Sequence, residues 1–440
     1  VTPLAGTSIG IRTEPAPPVR IVHLGLGAFH RSHQAWYTAR ATDADQWGIA
    51  AYSGRSAALA DALNAQGGLY TLIERSPDDD RAEVVGSIAR AHGGSELGRF
   101  LADVSASTTA IVSLTITEAA YSSTETDVDA PALQALAAGA EPSEIEPRTA
   151  VGRVVLALEA RRRAGGDPLA LLSCDNLPDN GGVLRAAVLS LAHGVPELED
   201  WIESSVSFVS SSVDRITPRL SDAETAELVD RYGDRAPVVT EPFSDWVIAG
   251  AFPAGRPPWE TAGARFTDDL EPWEARKLWL LNGAHSLLAS LGRLRGHRTV
   301  SEAIVDVECL RAVESYWDEA CAHLPAELDL QAYRSALLDR FRNPRIQHLL
   351  TQIALDDDTK MRVRIAPVAE RERRAGRSAV ACARVIAAWL AVDGRAADRA
   401  SAVTAIGALS TELGEDVGFV DGVLHSRRAL VEQTDLFTLR

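Results

Sequence analysis

Lysine is nearly missing from this chain. Of 44 basic side chains in 440 residues, only Lys277 and Lys360 are lysines, and arginine supplies the rest. Arginine keeps its proton near neutral pH, whereas a desolvated lysine can release it. A lysine here is therefore either a candidate for chemistry that arginine cannot do or a solvated charge at a helix edge. Positive charge is also outnumbered. The formal net charge of −17 argues against nucleic acid as the main partner, though it leaves room for a local basic pocket. Cysteine is scarce, and Cys174, Cys309, Cys321 and Cys382 lie too far apart in sequence for a metal finger or a disulfide framework. No metal is expected, and a cytoplasmic location is the simplest reading. No apolar run of about 18 residues predicts a membrane span, no basic-then-apolar leader pattern opens the chain, and no internal repeat is evident.

What is present is an ordinary globular composition, 46% hydrophobic and 24% charged, in a chain long enough for two domains. Runs rich in β-formers at Arg20–Leu24, Trp47–Tyr52, Leu69–Ile73, Ala82–Ile88, Thr108–Thr115 and Leu169–Ser173 alternate with helical patterns such as Gln34–Ala41, Thr149–Arg163 and Gly182–Ala192. That alternation predicts a largely parallel sheet covered by helices on both faces. After residue 265 strand signals fade. Ser301–Val305, Leu310–Cys321, Leu330–Arg342, Ile346–Leu355, Arg377–Val392 and Ala397–Leu413 all favour helix. The expected organisation is an α/β Rossmann-type dinucleotide-binding domain over residues 1–265 and a mostly α-helical substrate domain over 266–440.

Gly25-Leu-Gly27-Ala28-Phe29-His30 follows the first buried strand directly. Glycine at Gly25 suits a tight turn, and Gly27 lets backbone approach a pyrophosphate lying on the next helix. His30 stands where the third glycine of such a fingerprint would be. At the end of the second strand, where an acidic residue would read a ribose hydroxyl, the chain has Tyr52-Ser53-Gly54-Arg55-Ser56. Arg55 suits a 2′-phosphate, so NAD and NADP both stay open; it also reads as a surface charge at a helix start.

The stretch Glu271–Ser286 reads as a buried helix opened by Pro272, with Gly292 as its stop. At about 100° per residue, Glu274, Lys277, Asn282 and His285 share an arc of roughly 140°. One face of an apolar helix would then carry a carboxylate, an amine, an amide and an imidazole.

These motifs together resemble one family. Gly25-Leu-Gly-Ala-Phe-His-Arg-Ser-His33, Ser173-Cys-Asp-Asn-Leu-Pro-Asp-Asn180, Ser212-Val-Asp-Arg-Ile-Thr-Pro218, Glu241–Pro258 and Lys277-x-x-x-x-Asn282-x-x-His285 are similar to the ordered motifs of the mannitol 2-dehydrogenase / fructuronate reductase family, the polyol-specific long-chain dehydrogenase/reductases. The resemblance implies hydride transfer between NAD or NADP and a sugar alcohol or sugar acid, without a metal. It implies Lys277 as general base, with Asn176 and Asn282 holding the substrate oxygen. His285 and Asp214 would bind hydroxyls, Lys360 the far end of the substrate, and Glu274 would pass protons to solvent.

Each position also has a plainer reading: a turn residue for Asn176, a core histidine for His285, ion pairs for Asp214 with Arg215 and for Lys360. Within the family, polyol/ketose and hexuronate/aldonate substrates are both open. Met361-Arg-Val-Arg364 departs from the usual continuation, and Arg362 and Arg364 are placed in sequence to meet a carboxylate or phosphate; they also read as helix-surface arginines. The rival of another class is a non-catalytic nucleotide-binding sensor. A monomer or weak dimer is expected.

Overall fold

A computed structural model describes residues 2–3, 9–54, 56–122, 128–346, 348–396 and 398–438. Two compact units divide the chain, Val1–Glu271 and Pro272–Arg440.

The first unit contains twelve strands among the described residues: β1 Thr2–Pro3, β2 Val19–Leu24, β3 Gly48–Tyr52, β4 Tyr70–Arg75, β5 Asp80–Val85, β6 Ile88–His92, β7 Ile111–Leu114, β8 Leu169–Ser173, β9 Val206–Asp214, β10 Val238–Thr240, β11 Asp245–Ala249 and β12 Arg265–Phe266. The main sheet runs β12-β11-β9-β8-β7-β2-β3-β6. From β6 to β9 every pairing is parallel, and β11 adds to β9 antiparallel. Counted from β2, the six parallel strands have the 3-2-1-4-5-6 order of a dinucleotide-binding sheet, with the reversal between β2 and β7. This is the Rossmann-type domain that the alternation predicts.

The strands are apolar on both sides because both faces are covered. Val22, Leu24, Ala50, Tyr52, Val112, Leu114, Leu169 and Leu171 belong to one core. Their neighbours Ile21, Ile49, Ala51, Ile111, Ala170 and Leu172 belong to the other. A second sheet, β1-β5-β4-β10, packs Ile73, Ala82 and Val239 against Leu228 and Tyr232 of helix Asp222–Tyr232. The single run expected over Ala82–Ile88 is in fact the end of β5 and the start of β6, in different sheets. The break falls at Gly86-Ser87, where the Ser87 hydroxyl donates to Ala35 O at 2.6 Å and turns the chain.

Among its described residues the second unit is mostly helical, as its sequence pattern predicts. Helix Ala284–Leu294 is its axis, buried from Ala284 through Gly292. Two local expectations fail. Among the described residues of Ile346–Leu355, only Leu350–Ile353 is helical. Val300 N–H donates to His348 O at 3.0 Å, Leu350 N–H donates to Arg298 O at 2.9 Å, and these bonds hold Leu349 extended beside Thr299. Gly292 does not stop its helix. A Cβ there would lie 2.9 Å from both Ala303 Cβ and Leu350 Cδ1, so the glycine serves close packing; Gly296, at φ +84°, is where the backbone turns left-handed.

Candidate functional site

At the carboxyl end of β2 the chain needs glycine. Gly25 has φ +116°, and a Cβ there would fall 2.1 Å from Thr115 O, just past the end of β7. The turn is tied to both neighbouring strands. Gly25 N–H donates to Tyr52 O at 2.9 Å, and the Thr115 hydroxyl donates to Gly25 O at 2.9 Å. A Cβ on Gly27 would meet nothing nearer than Gly25 O at 3.6 Å, so its outer side is open. Gly25, Gly27, Ala28 and Phe29 are half-buried, and Ala28 opens helix Ala28–Ser32.

His30 is buried and stacks on His23, with ring centroids 3.4 Å apart and planes 9° from parallel. His23 meets the Ser113 and Thr115 hydroxyls at 2.9 and 3.1 Å. Burial lowers the His23 pKa to about 3 and holds His30 well below its ordinary value. Two neutral rings thus make the helix–strand contact that a third glycine would make by being small. Arg31 is buried too, with its guanidinium donating to Ala236 O, Pro237 O and Gly27 O. Arg55 lies outside the described residues.

Asn176 is exposed in the loop after β8. Its neighbours in the motif are structural. Asp175, 5% exposed, accepts from Thr117 N–H at 2.7 Å and from the Tyr121 hydroxyl at 2.6 Å. Asn180, fully buried, donates to Asp175 O at 2.8 Å and Ser211 O at 2.6 Å, and accepts from Ser211 N–H at 2.9 Å. Asp214 is the last residue of β9, in register with Asp245. The adjacent Arg215 pairs with Glu74 at 2.8 Å and stacks over Trp36.

In the second unit the segment around Lys277 differs from the α-helix that periodicity suggests. Glu271–Arg276 and Ala284–Leu294 are α-helical, but Lys277–Gly283 is π-helical. The 100° arithmetic does not hold across it. In an i→i+5 turn, residues five apart lie nearer one another around the axis than they do in an α-helix, so Lys277 and Asn282 come closer in direction, and His285 follows three residues on. Glu274, Lys277 and Asn282 are half-buried. His285 is 7% exposed and packs against Phe341 and His348, with ring centroids 5.0 and 4.8 Å away. Burial, then His348, Arg340 and Arg364, holds it well below the usual histidine range, so it is neutral. Its Nε2 is buried with no hydrogen-bond partner.

Lys360 donates to Ile353 O at 3.0 Å and to Leu355 O. The acidic run beside it pairs with Arg395 instead, through Asp357 and Asp358. Arg362 reaches Ala408 O on the outside. Among the described residues, one group could in principle hold a metal: His297, Asp306 and Cys309, within 4.8 Å of one another. There the same Asp306 oxygen already takes Arg295 at 2.7 Å and His297 at 2.9 Å, the chemistry of an ion pair. No described helix is long and apolar enough to cross a membrane.

Known proteins match both units. Residues 19–261 match the mannitol dehydrogenase Rossmann domain, and 269–415 the mannitol dehydrogenase C-terminal domain. The D-mannonate oxidoreductase of Escherichia coli K12 is 37% identical over 368 residues, 79% of this chain and 74% of that protein. The Pseudomonas fluorescens mannitol 2-dehydrogenase, solved with NAD and D-mannitol, is 32% identical with TM-score 0.76, over 99% of this chain and 96% of that one. A substrate-free D-sorbitol dehydrogenase structure has TM-score 0.88 at 29% identity, over 98% and 97%. With its parallel sheet, its glycine turn and its helical second unit each matched in order, the chain belongs to the mannitol dehydrogenase family and is an oxidoreductase.

Proposed function

We propose that the chain is an NAD- or NADP-dependent, metal-independent dehydrogenase/reductase interconverting a mannitol-type polyol and its ketose, with Lys277 as general base. What supports this reading is the His285 Nε2, buried, neutral and unpartnered, three residues after Asn282 on the helix that continues the π-turn of Lys277. Such a nitrogen suits a substrate hydroxyl, since a buried polar atom without a partner costs stability.

The residues of the first unit fit a dinucleotide. Gly25 permits a turn that a side chain would block, and the open side of Gly27 admits a pyrophosphate beside Ala28 and Phe29. When bound, the nicotinamide takes up or returns the hydride. Lys277 removes the hydroxyl proton as the hydride leaves, and it returns that proton in reduction. Asn282 and Asn176 donate amide N–H groups to the oxygen where negative charge builds. His285 orients a neighbouring hydroxyl, Asp214 accepts from another, and Glu274 exchanges the proton with solvent. Lys360 has two backbone carbonyls as partners, which leaves one N–H to meet the distal end of the substrate.

A second reading, hexuronate reduction to an aldonate, is favoured by Arg340, whose positive field bears on both His285 and His348. A substrate carboxylate would be attracted there.

The test is a 340 nm screen of NADH and NADPH against fructose, fructuronate, tagaturonate and xylulose, run with the natural chain and with Lys277→Ala. Turnover should vanish in Lys277→Ala while dinucleotide binding persists. Near-normal activity in that variant removes the assigned base. No turnover by the natural chain in any pairing favours the sensor.

A further inference from the structure

A π-turn displaces backbone carbonyls from the regular i→i−4 ladder, and buried carbonyls need donors. In Lys277–Gly283 two of them receive side chains from other helices. Trp317 Nε1–H donates to Leu280 O at 2.8 Å. Arg364 Nη1 donates to Asn282 O at 3.3 Å and to Ser286 Oγ at 3.1 Å. Tyr316 completes the frame. A Cβ on Gly283 would lie 2.3 Å from its hydroxyl oxygen, and that hydroxyl donates to Arg364 O at 2.9 Å.

Arg364 is unusual as a cation. Neither of its side-chain hydrogen bonds goes to a carboxylate, and its Nε is buried without a partner. Burial lowers its pKa to about 10, against a small opposing effect of Tyr316. A guanidinium desolvated without a counter-charge is destabilising on its own account. What it does in the structure is hold the carbonyl of Asn282.

We propose that Arg364 is a positioning residue, with Trp317 as a second anchor, that holds Lys277–Gly283 in its π-turn and so keeps Asn282 on the same side of the helix as Lys277. In an unbroken α-helix, residues five apart diverge by about 140° around the axis, and the amine and amide would address different directions. Arg364 touches neither substrate nor dinucleotide in this scheme and acts through the backbone of Asn282. The inference rests on the roles proposed above for Lys277 and Asn282.

The experiment compares Arg364→Gln, Arg364→Lys and Trp317→Phe with the natural chain and with Lys277→Ala. It uses steady-state kinetics across pH on whichever substrate the screen identifies, dinucleotide titration and a melting curve. Displacing a catalytic pair by about 1 Å costs on the order of a hundredfold in rate. Arg364→Gln should therefore lose roughly that in kcat, with KM and dinucleotide affinity within about threefold. The base's apparent pKa in the kcat profile should move, because the amide beside it has shifted. Arg364→Lys, which keeps one donor, should recover part of the rate. Trp317→Phe keeps shape but removes the Leu280 donor, and it should move kcat and the pH profile in the same direction.

A folded Arg364→Gln with the natural kcat and pH profile overturns the proposal. So does a loss confined to KM, which would make Arg364 a substrate ligand. If Arg364→Gln does not fold, Trp317→Phe decides, and unchanged kinetics in it overturn the proposal equally. Should Lys277→Ala stay active, the functional reading itself fails. An inactive Lys277→Ala beside a fully active Arg364→Gln defeats only the present inference.

Discussion

Replacing Asn180 separates support from chemistry in the loop after β8. Its amide makes three buried hydrogen bonds, to Asp175 O, to Ser211 O and from Ser211 N–H. Alanine removes all three and strands Ser211 O and Ser211 N–H in a site with no solvent exposure, while Asp175 O keeps the Leu177 N–H at 3.0 Å. At about 1 kcal/mol net per bond, and more where the abandoned group stays dry, the cost is about 3–5 kcal/mol. At roughly 2–4 °C per kcal/mol for a unit of this size, the melting step of the first unit should fall by roughly 10 °C. Asn180→Asp keeps the acceptor for Ser211 N–H but turns a carboxylate toward two carbonyls, and it should cost at least as much. Asn176→Ala, at an exposed position four residues earlier, should cost less stability than Asn180→Ala while lowering kcat. Differential scanning calorimetry and initial rates on the three variants make the comparison. An unchanged melting step in Asn180→Ala would refute the argument that this residue is what holds the turn.

Other outcomes follow from the same geometry. Gly25→Ala forces an L-residue to φ +116° and onto Thr115 O; strain of about 1–3 kcal/mol plus the overlap should lower stability and weaken NADH binding in a fluorescence titration, and normal binding would refute the turn's role. Burial depresses the folded pKa of His23 to about 3, with His30 and His285 also well below 6.5. The unfolded chain therefore binds more protons below pH 6.5, and stability falls as pH drops from 6.5 toward 3. Each histidine should add up to about 1.4 kcal/mol per pH unit to the slope, and denaturant titrations at several pH values should lose part of it in His23→Gln. For Asp306, burial raises the pKa but the bonds from Arg295 and His297 outweigh it and bring it to about 2. Its contribution is present above pH 3.8 and is lost as pH falls through 2, a component that Asp306→Asn should remove from the acid-unfolding curve.

Much of the fold was legible because strands and helices announce themselves by local pattern. Arg20–Leu24 and Leu169–Ser173 read as strands and became β2 and β8. The parallel order followed from alternation. Sequence could not place the end of β5, because a run of β-formers does not say which sheet each half joins. On the site, the proposed group could be picked out because Lys277, Asn282 and His285 lie close in sequence, yet the α-helical spacing that grouped them is not the backbone they adopt. Asp175 and Asn180 went unnoticed beside Asn176. Their partners Thr117, Tyr121 and Ser211 are tens of residues away, and periodicity carries no information across such gaps. Arg364 was singled out as a cation for an acidic ligand, whereas its hydrogen bonds serve a backbone carbonyl.

A π-turn can be viewed as an α-helix holding one residue too many. Deleting a single position between Leu278 and Leu281 would let the segment relax into ordinary helix, at little cost to the packing that follows it. Lys277 and Asn282 would then stand four residues apart, about 40° around an α-helix, so the segments before and after would keep nearly their relative orientation. Such a chain would keep its amine and its amide on one side of an ordinary helix. Among relatives of this sequence, a one-residue gap at that spot is accordingly a milder change than a gap elsewhere in the same helix, where the two flanks would turn by about 100° against each other.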